Sequence, residues 1–318
     1  MTVTPDAIRA AWTRIRPHIR HTPLEPSLWL SRHTGAEVLL KLETQQVTGS
    51  FKPRGGFNVL LTLTGAQKKR GIVAPTAGNH GISLAYAAGQ VGIPVRIYLP
   101  QNTDPAKIER LEAYGAQVEQ REDFKAAHRA ALRASDELGM TFVSAYNHPA
   151  MIAGGGTVAL EILKDCPEVD TVVVGMGGGG LAAGLGILLK SSNPSIQIWG
   201  VQMANSPTFG HWLAAGKPVP VTLQPSMAAG LSGYVEEDTL TFPLLQAHLD
   251  RVVTISEEEL AASMAWLLDR EQQLTEPSGA AAAAALLQLG PECRGRTIAA
   301  LLTGRNIGLD SLLSLVGK

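Results

Sequence analysis

The stretch that indicates the fold class most directly is TVVVGMGGGGLAAGLGILLK, residues 171–190. It opens on a β-branched apolar run typical of a buried strand, and residues 181–190 have a helical pattern. Between them lie the glycines of 177–180, which suit a tight turn. Free amides in such a turn, aided by the dipole of the next helix, predict a phosphate-binding loop. A tight packing turn between strand and helix explains the same letters.

Short aliphatic runs alternate with helical patterns along most of the chain. The predicted strands cover residues 38–42, 71–74, 95–99, 117–119, 171–174, 196–201, 251–255 and 297–302. This alternation predicts an α/β protein with mostly parallel sheets flanked by helices, whose ligands collect at the carboxyl ends of strands. A crossing between two lobes is expected near residues 147–156. We therefore predict a small domain at 45–148 and a large domain formed by 1–44 and 149–318.

The composition is that of a globular protein and argues against several function classes. Of 318 residues, 45% are hydrophobic and 17% charged, and the formal net charge is −1. This balance gives no support for binding to nucleic acid or to an anionic membrane surface. Cys166 and Cys293 lack metal-ligand spacing and are too few for a disulfide framework, which favours a reducing compartment. Because no apolar signal core or membrane-spanning run is found, the expected location is the cytoplasm.

A second stretch, TGSFKPRGGFN at residues 48–58, contains an unusually placed lysine. Lys52 lies between Phe51 and Pro53, just before a glycine pair. Desolvation in an apolar setting lowers the pKa of a lysine, and the neutral amine can form a Schiff base with a carbonyl. Lys52 is therefore a candidate cofactor anchor. The alternative is an exposed lysine at the start of a helix.

The turn TAGNHG, residues 76–81, stands at another predicted junction between a strand and a helix. Its free amides and the Thr76 hydroxyl suit a carboxylate, and the Asn79 amide can donate to a phenolate or carbonyl oxygen. Equally, Asn79 can cap the helix, and His80 can be a buried histidine with satisfied hydrogen bonds.

Two further turns carry weaker signals. In TEPSG, Glu276 or Ser278 is interpreted as a simple cap of the next helix rather than a catalytic group. After the last predicted strand, Thr303 can present its hydroxyl to a ligand, although a turn with Gly304 and Asn306 explains the same residues. A Schiff-base lysine, a phosphate loop, a carboxylate-binding turn and a strand-end hydroxyl together match the contacts that pyridoxal phosphate (PLP) needs.

In this order, the motifs resemble those of the fold type II PLP enzymes, which are similar to the tryptophan synthase β chain, and within them the serine/threonine dehydratase and serine racemase family. The resemblance covers nearly the whole chain and rests on SFKPRG at 50–55, AGNHG at 77–81, GGGGL at 177–181 and TGRN at 303–306. It implies a homodimeric ammonia-lyase that eliminates water from a small β-hydroxy amino acid. L-Threonine and L-serine are the first candidate substrates.

The resemblance also implies roles for individual residues. Lys52 carries the cofactor as a Schiff base and later moves protons at the substrate Cα. The expected cofactor contacts are Phe51, Lys52, Asn79, Gly177, Gly178, Gly179, Gly180, Leu181 and Thr303. Among them, Phe51 packs beside the ring, Asn79 bonds the ring 3′ oxygen and Thr303 faces the pyridine nitrogen. The expected substrate contacts are Ser50, Thr76, Ala77, Gly78, Asn79 and His80.

Departures from the family pattern refine the expected reaction. Ala77 stands where racemases carry a serine as the second proton carrier, so elimination is expected to dominate over inversion. Gln202, Ser206 and Thr208 stand where metal-dependent relatives place carboxylates, and neutral oxygens bind Mg²⁺ poorly, so no strong divalent-metal site is expected. Arg305 replaces a glycine and is either a solvated charge or a partner for an acidic substrate side chain.

Three alternatives stay open beside the dehydratase prediction. The first is an amino-acid racemase, and the second is a dehydratase of another β-hydroxy amino acid such as 3-hydroxyaspartate. The third, more remote, is a PLP-binding protein without turnover.

Thr303 favours elimination over transamination, because a hydroxyl, unlike a carboxylate, leaves the pyridine nitrogen largely unprotonated and the ring a weaker electron sink.

Overall fold

The structure, a computed structural model, describes residues 3–76 and 78–317. The strands in these ranges are β1 (Leu24–Pro26), β2 (Glu37–Leu42), β3 (Ile72–Pro75), β4 (Val95–Pro100), β5 (Gln117–Arg121), β6 (Thr141–Phe142), β7 (Thr171–Gly175), β8 (Gln197–Met203), β9 (Arg251–Ile255) and β10 (Thr297–Leu302). The helices are α1 (Pro5–Ile15), α2 (Leu28–Thr34), α3 (Lys52–Thr62), α4 (Gly65–Arg70), α5 (Asn79–Val91), α6 (Pro105–Ala113), α7 (Phe124–Leu138), α8 (Pro149–Asp165), α9 (Gly180–Ser192), α10 (Thr208–Ala215), α11 (Thr241–His248), α12 (Glu257–Arg270), α13 (Pro277–Leu289) and α14 (Leu309–Val316). None of these helices is long and apolar enough to cross a membrane.

The strands form two sheets. The larger has the order β1-β2-β10-β7-β8-β9, in which β1 is antiparallel to β2 and the other neighbours are parallel. The smaller has the order β5-β4-β3-β6 and is parallel. Every strand of the smaller sheet falls within residues 45–148, and every strand of the larger sheet falls outside that range. The predicted α/β fold with mostly parallel sheets is confirmed.

Helices cover both faces of each sheet, which explains why the central strands are continuous apolar runs. In the larger sheet, Val172 and Val174 of β7 pack with α8 and α9, while Val173 packs on the opposite face with α12 and α13. In the smaller sheet, Ala74 of β3 packs with α3 and α5, while Val73 packs with α7. Alternate residues of one strand therefore enter separate cores, as expected for parallel strands buried on both sides.

Two short strands were not predicted. β1 has three residues and pairs only with β2 at one edge of the larger sheet, and β6 has two residues that pair with β3 at one edge of the smaller sheet. Neither is long enough to show an alternating pattern. Their extended conformation depends on the neighbouring strand.

The strand order brings three distant segments together. β10 lies between β2 and β7 and is parallel to both, with Leu302 opposite Leu42 and Ala300 opposite Val173. The carboxyl ends of these strands therefore meet at one edge of the sheet. Three segments leave the sheet at this edge. They are the segment that leads to Lys52, the turn that begins at Thr303, and the loop that contains the glycines of 177–180, called the glycine loop below.

Candidate active site

The segment before α3 is joined directly to the turn after β10. The Phe51 amide donates to the Thr303 carbonyl oxygen at 3.1 Å, and Ser50 and Gly304 form an antiparallel bridge. These contacts place Lys52, the first residue of α3, beside the end of β10. The side chain of Ser50 is fully buried, and its Oγ has no hydrogen-bond partner among the described residues.

The Lys52 amine is held by a carbonyl and an aromatic ring. Its Nζ donates to the Ala145 carbonyl oxygen at 3.0 Å and lies 5.0 Å from the centre of the Phe51 ring. Desolvation by the surrounding protein lowers the pKa of Lys52 to about 8, against the opposing effect of the Glu276 carboxylate. A substantial neutral fraction near pH 8 is what an amine needs for attack on a carbonyl.

A buried group of ion pairs anchors the helix that carries Lys52. Arg54 donates to Glu43 at 2.7 Å and to Glu161 at 2.7 Å, and Lys41 donates to Glu161 at 2.6 Å. The four side chains are at most 1% exposed. Because Lys41 belongs to β2 and Glu161 to α8, these pairs fix α3 against both elements. Arg54 was not among the residues predicted from the sequence to have a role of their own.

The glycine loop connects β7 to α9 with little space for side chains. A Cβ on Gly177 would lie 2.1 Å from the Gly230 carbonyl oxygen, and one on Gly178 would lie 2.2 Å from the Tyr146 ring. Gly179 has a φ of 81° and precedes α9, and no described side chain caps this helix. Close packing thus explains why Gly177 and Gly178 lack side chains. The start of α9, which no described side chain caps and which has Leu181 in its first turn, suits an anion.

Tyr146 lies against the glycine loop and was not identified from the sequence. Its hydroxyl donates to Glu236 Oε2 at 2.8 Å, and the side-chain amide of Asn147 donates through Nδ2 to the same oxygen at 3.0 Å. A Cβ on Gly180 would lie about 3.2–3.3 Å from the backbone and Cβ of Tyr146. The ring is therefore fixed in contact with the loop. Burial raises the pKa of the Tyr146 hydroxyl, so this group is a neutral donor at physiological pH.

Asn79 does not cap its helix. The cap position of α5 is Gly78, and Asn79 is the first helical residue. The Asn79 Nδ2 donates to Glu276, and its Oδ1 accepts from Asn306 Nδ2 at 2.6 Å. The capping alternative is therefore wrong, and the amide is part of a polar network. Nearby, Thr76 Oγ1 accepts from the Gly78 amide at 3.3 Å.

His80 is buried and uncharged. Its Nε2 lies 3.0 Å from the Val143 carbonyl oxygen, which requires a proton on Nε2. Burial, together with the nearby Lys52 cation, lowers the pKa of His80 to about 3. Its Nδ1 has no partner among the described residues. The satisfied-histidine alternative thus holds for one ring nitrogen only. The predicted substrate contact Ala77 lies outside the described residues.

Glu276 occupies the cap position of α13, but its carboxylate binds Asn79 and makes no capping bond. Ser278 Oγ accepts from the Gly230 amide at 2.9 Å. The interpretation of either side chain as a simple cap is therefore wrong. Burial raises the pKa of Glu276 to about 7. A Cβ on Gly304 would lie 2.2 Å from Glu276 Oε1, so the glycine leaves space for this carboxylate.

Thr303 and Arg305, in the turn after β10, differ in how exposed their side chains are. Thr303 is 7% exposed, and its hydroxyl donates to the Ser278 carbonyl oxygen at 3.3 Å. Arg305 is exposed, and its amide donates to the Gly49 carbonyl oxygen at 2.9 Å. The exposed position of Arg305 favours the solvated-charge interpretation.

The side-chain amide of Gln202, where no strong metal site is expected, connects β9 to α10. Gln202 Nε2 donates to Thr254 Oγ1 at 3.1 Å, and Gln202 Oε1 accepts from the Gly210 amide at 3.0 Å. Both ends of this side chain have protein partners. Within residues 3–76 and 78–317, no group of three or more histidine, cysteine, aspartate or glutamate side chains could hold a metal ion.

The residues brought together fit PLP. Lys52, the Thr303 turn and the glycine loop are adjacent at one sheet edge, and Asn79 joins them through Glu276. Among the described residues, the buried Ser50 hydroxyl has no hydrogen-bond partner and the start of α9 has no side-chain cap, so both are suited to a polar ligand. A cleft of about 380 Å³ is lined in part by Glu276, Ser278 and Asn306.

Comparison with known proteins agrees with this geometry. The family described as "Pyridoxal-phosphate dependent enzyme" matches residues 15–304. The L-threonine ammonia-lyase of Thermotoga maritima is 37% identical over 317 residues, which cover 99% of this chain and 79% of the relative. The catabolic L-threonine dehydratase of Escherichia coli is 33% identical over 320 residues, covering 100% and 97%. The structure of maize serine racemase matches with a TM-score of 0.93 at 29% identity, covering 99% and 97%. The chain therefore belongs to the pyridoxal-phosphate dependent enzyme family.

Proposed function

We propose that the protein is an ammonia-lyase that eliminates water from L-threonine or L-serine and releases a 2-oxo acid and ammonia. The observation that carries this proposal is the position of Lys52. Its amine has a lowered pKa and lies at the sheet edge where the glycine loop and the Thr303 turn also emerge. The two relatives named as threonine ammonia-lyase and threonine dehydratase, each similar over nearly the whole chain, support the choice of substrate.

In this proposal, each predicted residue has one task in holding PLP. Lys52 anchors the cofactor, and the amides of residues 177–181 bind its phosphate. Phe51 packs beside the ring, Asn79 donates to the ring 3′ oxygen and Thr303 faces the ring nitrogen. The uncapped start of α9 and the Asn79 side chain in the polar network support the phosphate and ring-oxygen roles.

The protein's own residues then bind the substrate and move its protons. Ser50, Thr76, Gly78, Asn79 and His80, with Ala77, bind the substrate, and free amides of the turn hold its carboxylate. When bound, PLP supplies an electron sink for negative charge at the substrate Cα. Lys52 takes the Cα proton, and the β-hydroxyl takes a proton from an acidic group near the phosphate and leaves as water. The enamine released then reacts with water to give a 2-oxo acid and ammonia.

Ala77 favours elimination over inversion of the Cα configuration. Inversion needs a second group that carries a proton to the opposite face of Cα, and a methyl side chain has no proton to exchange. Lys52 is then the main acid and base at this carbon. The structural similarity to maize serine racemase is the reason to measure inversion alongside elimination.

The remaining features are proposed at the level of the whole molecule. We propose domains at 45–148 and at 1–44 with 149–318, a homodimer, a cytoplasmic location, and no nucleic-acid, membrane or divalent-metal partner. The hydrogen bonds that Gln202 makes at both ends support the absence of a metal role for that residue. Light scattering after size exclusion tests the dimer, and activity in the presence of a chelator tests the metal.

The function is tested by incubating the holoenzyme with L-threonine, L-serine and 3-hydroxyaspartate. We expect 2-oxobutanoate or pyruvate together with an equal amount of ammonia, and little D-amino acid on a chiral column. Dominant D-serine would identify a racemase and contradict the Ala77 argument. Turnover of 3-hydroxyaspartate alone would keep the reaction but change the substrate. Bound PLP without any turnover would support the non-catalytic alternative.

A further inference from the structure

Asn306, in the turn after β10, connects segments that are distant in sequence. Its Nδ2 donates to the Thr48 carbonyl oxygen at 2.9 Å and to Asn79 Oδ1 at 2.6 Å. Its Oδ1 accepts from Arg110 Nη1 at 2.9 Å, and Arg110 Nη2 donates to the Thr48 carbonyl oxygen at 3.2 Å. The Asn306 amide therefore has a hydrogen-bond partner at each end.

These partners determine which end of the Asn306 amide is the oxygen. A guanidinium only donates, and a backbone carbonyl only accepts. The Asn306 atom that meets Arg110 is therefore the oxygen, and the atom that meets Thr48 is the nitrogen. Although the two ends of an amide have nearly the same shape, one orientation alone satisfies both neighbours.

The orientation of Asn306 determines that of Asn79. Because Asn306 Nδ2 donates, it must meet the acceptor Oδ1 of Asn79, and Asn79 Nδ2 is then directed to Glu276. Glu276 does not determine this orientation by itself. Its pKa of about 7, raised by burial, allows a protonated form near neutral pH, and a protonated carboxyl can donate as well as accept. Asn306 imposes the same direction in both forms.

We propose that Asn306 is a positioning residue that orients the Asn79 amide with its donor end toward Glu276 and the ring oxygen of the cofactor. This inference rests on the proposed function, in which Asn79 donates to the 3′ oxygen of PLP. Asn79 Nδ2 carries two hydrogens, one for Glu276 and one for that oxygen. A reversed amide would present its own oxygen to both groups. It would lose the hydrogen bond to the ring oxygen, and it would keep one to Glu276 only while that carboxyl is protonated.

The test is Asn306→Asp, which keeps the shape of the side chain but removes its donors. A carboxylate still accepts from Arg110, but it can only accept from Asn79, whose amide must then reverse. We expect the dissociation constant of PLP, measured by equilibrium dialysis of the holoenzyme, to rise about tenfold or more, as for a lost hydrogen bond to a charged group. The absorption band of the lysine-bound cofactor should shift. Asn193→Asp, a matched change at an exposed turn, should change neither property.

A double-mutant cycle separates positioning from a general structural effect. If Asn306 acts through Asn79, then Asn306→Asp should have little further effect on the dissociation constant in an Asn79→Ala background. Additive losses would overturn the proposal. Arg110→Met provides a second variant should Asn306→Asp fold poorly. It removes the partner of Asn306 Oδ1 and should weaken PLP binding in the wild-type background but not in the Asn79→Ala background.

The outcomes also distinguish this inference from the proposed function. A wild-type protein that eliminates water and is labelled by borohydride at Lys52 supports the function. If Asn306→Asp then kept the wild-type dissociation constant and absorption band, the positioning role alone would be wrong. A wild-type protein that is labelled elsewhere, or that lacks elimination, would contradict the proposed function itself.

Discussion

The amide nitrogen of Asn79 donates a hydrogen bond to the carboxylate of Glu276. Asn79 begins α5, which packs on the smaller sheet, and Glu276 immediately precedes α13, which packs on the larger sheet. The contact therefore joins the two sheets beside the candidate active site. Gly304 makes it possible, because a side chain there would meet both partners.

Glu276 should make the stability of the protein fall as the pH rises. Burial raises its pKa from 4.5 to about 7 in the folded protein, whereas the unfolded chain has the ordinary value. Between these values the folded state holds a proton that the unfolded state has lost. The carboxyl therefore imposes no penalty below pH 4.5, and the penalty grows to at most roughly 3 kcal/mol above pH 7.

Glu276→Gln removes this titration and keeps an oxygen for Asn79. Between pH 5 and pH 8, the free energy of unfolding of the variant should improve relative to wild type by up to roughly 3 kcal/mol. Urea denaturation at the two pH values measures the difference. The exposed control Glu137→Gln should show no such change. A pH-independent difference for Glu276→Gln would show that the carboxyl does not titrate in this range.

Lys52→Ala should abolish both covalent cofactor attachment and elimination. The variant lacks the amine that forms the Schiff base and moves the Cα proton, and loss of such a proton carrier alone lowers rates by about 10²- to 10⁴-fold. Peptide mapping after borohydride reduction should find the cofactor on Lys52 in wild type and on no lysine in the variant. The exposed control Lys69→Ala should behave as wild type. Full activity of Lys52→Ala would rule out the proposed proton carrier.

Arg54→Met should destabilise the fold strongly. The change leaves Glu43 and Glu161 buried with fewer positive partners, and breaking such a pair on one side costs roughly 3–5 kcal/mol. Urea denaturation measures the loss. For comparison, Glu292→Ala breaks an ion pair in which the glutamate is 63% exposed and should cost at most about 1 kcal/mol. Similar losses in the two variants would contradict the anchoring role of Arg54.

Gly178→Ala should weaken cofactor binding by displacing the Tyr146 ring. The added methyl would lie 2.2 Å from that ring, and overpacking of this kind costs roughly 1–3 kcal/mol. PLP titration and thermal unfolding measure the two effects. Gly65→Ala is the matched control, because a methyl there meets no atom within 4 Å. Adding Tyr146→Ala to Gly178→Ala should recover part of the stability, and no recovery would contradict the proposed clash.

The central strands could be predicted because burial on both faces leaves a local signature. Residues 171–174 and 297–302 are apolar runs of strand length, and they form most of β7 and all of β10. The edge strands β1 and β6 have no such signature. At two or three residues, their conformation follows from pairing with a neighbour and not from their own side chains.

The candidate site could be predicted only where its residues form a continuous motif. Adjacent residues in the sequence indicate the role of Lys52, which lies between Phe51 and Pro53. They also indicate the role of the glycines between a predicted strand and a predicted helix. Arg110 and Asn306 meet only in the folded chain, so neither shows its partner in the sequence. Glu276 resembles a helix cap because it occupies that position, and its bond to Asn79 depends on the packing of two helices.

The place of β10 in the larger sheet sets the moment at which the site can form during synthesis. β2 and β7 both emerge from the ribosome before β10, because the strand that separates them is the last described strand of the chain. Until residues 297–302 emerge, Lys52 and the glycine loop have no common sheet edge. Cofactor capture should therefore follow the emergence of residues 297–302, and a chain that stops before β10 should stay colourless however much of the rest has folded.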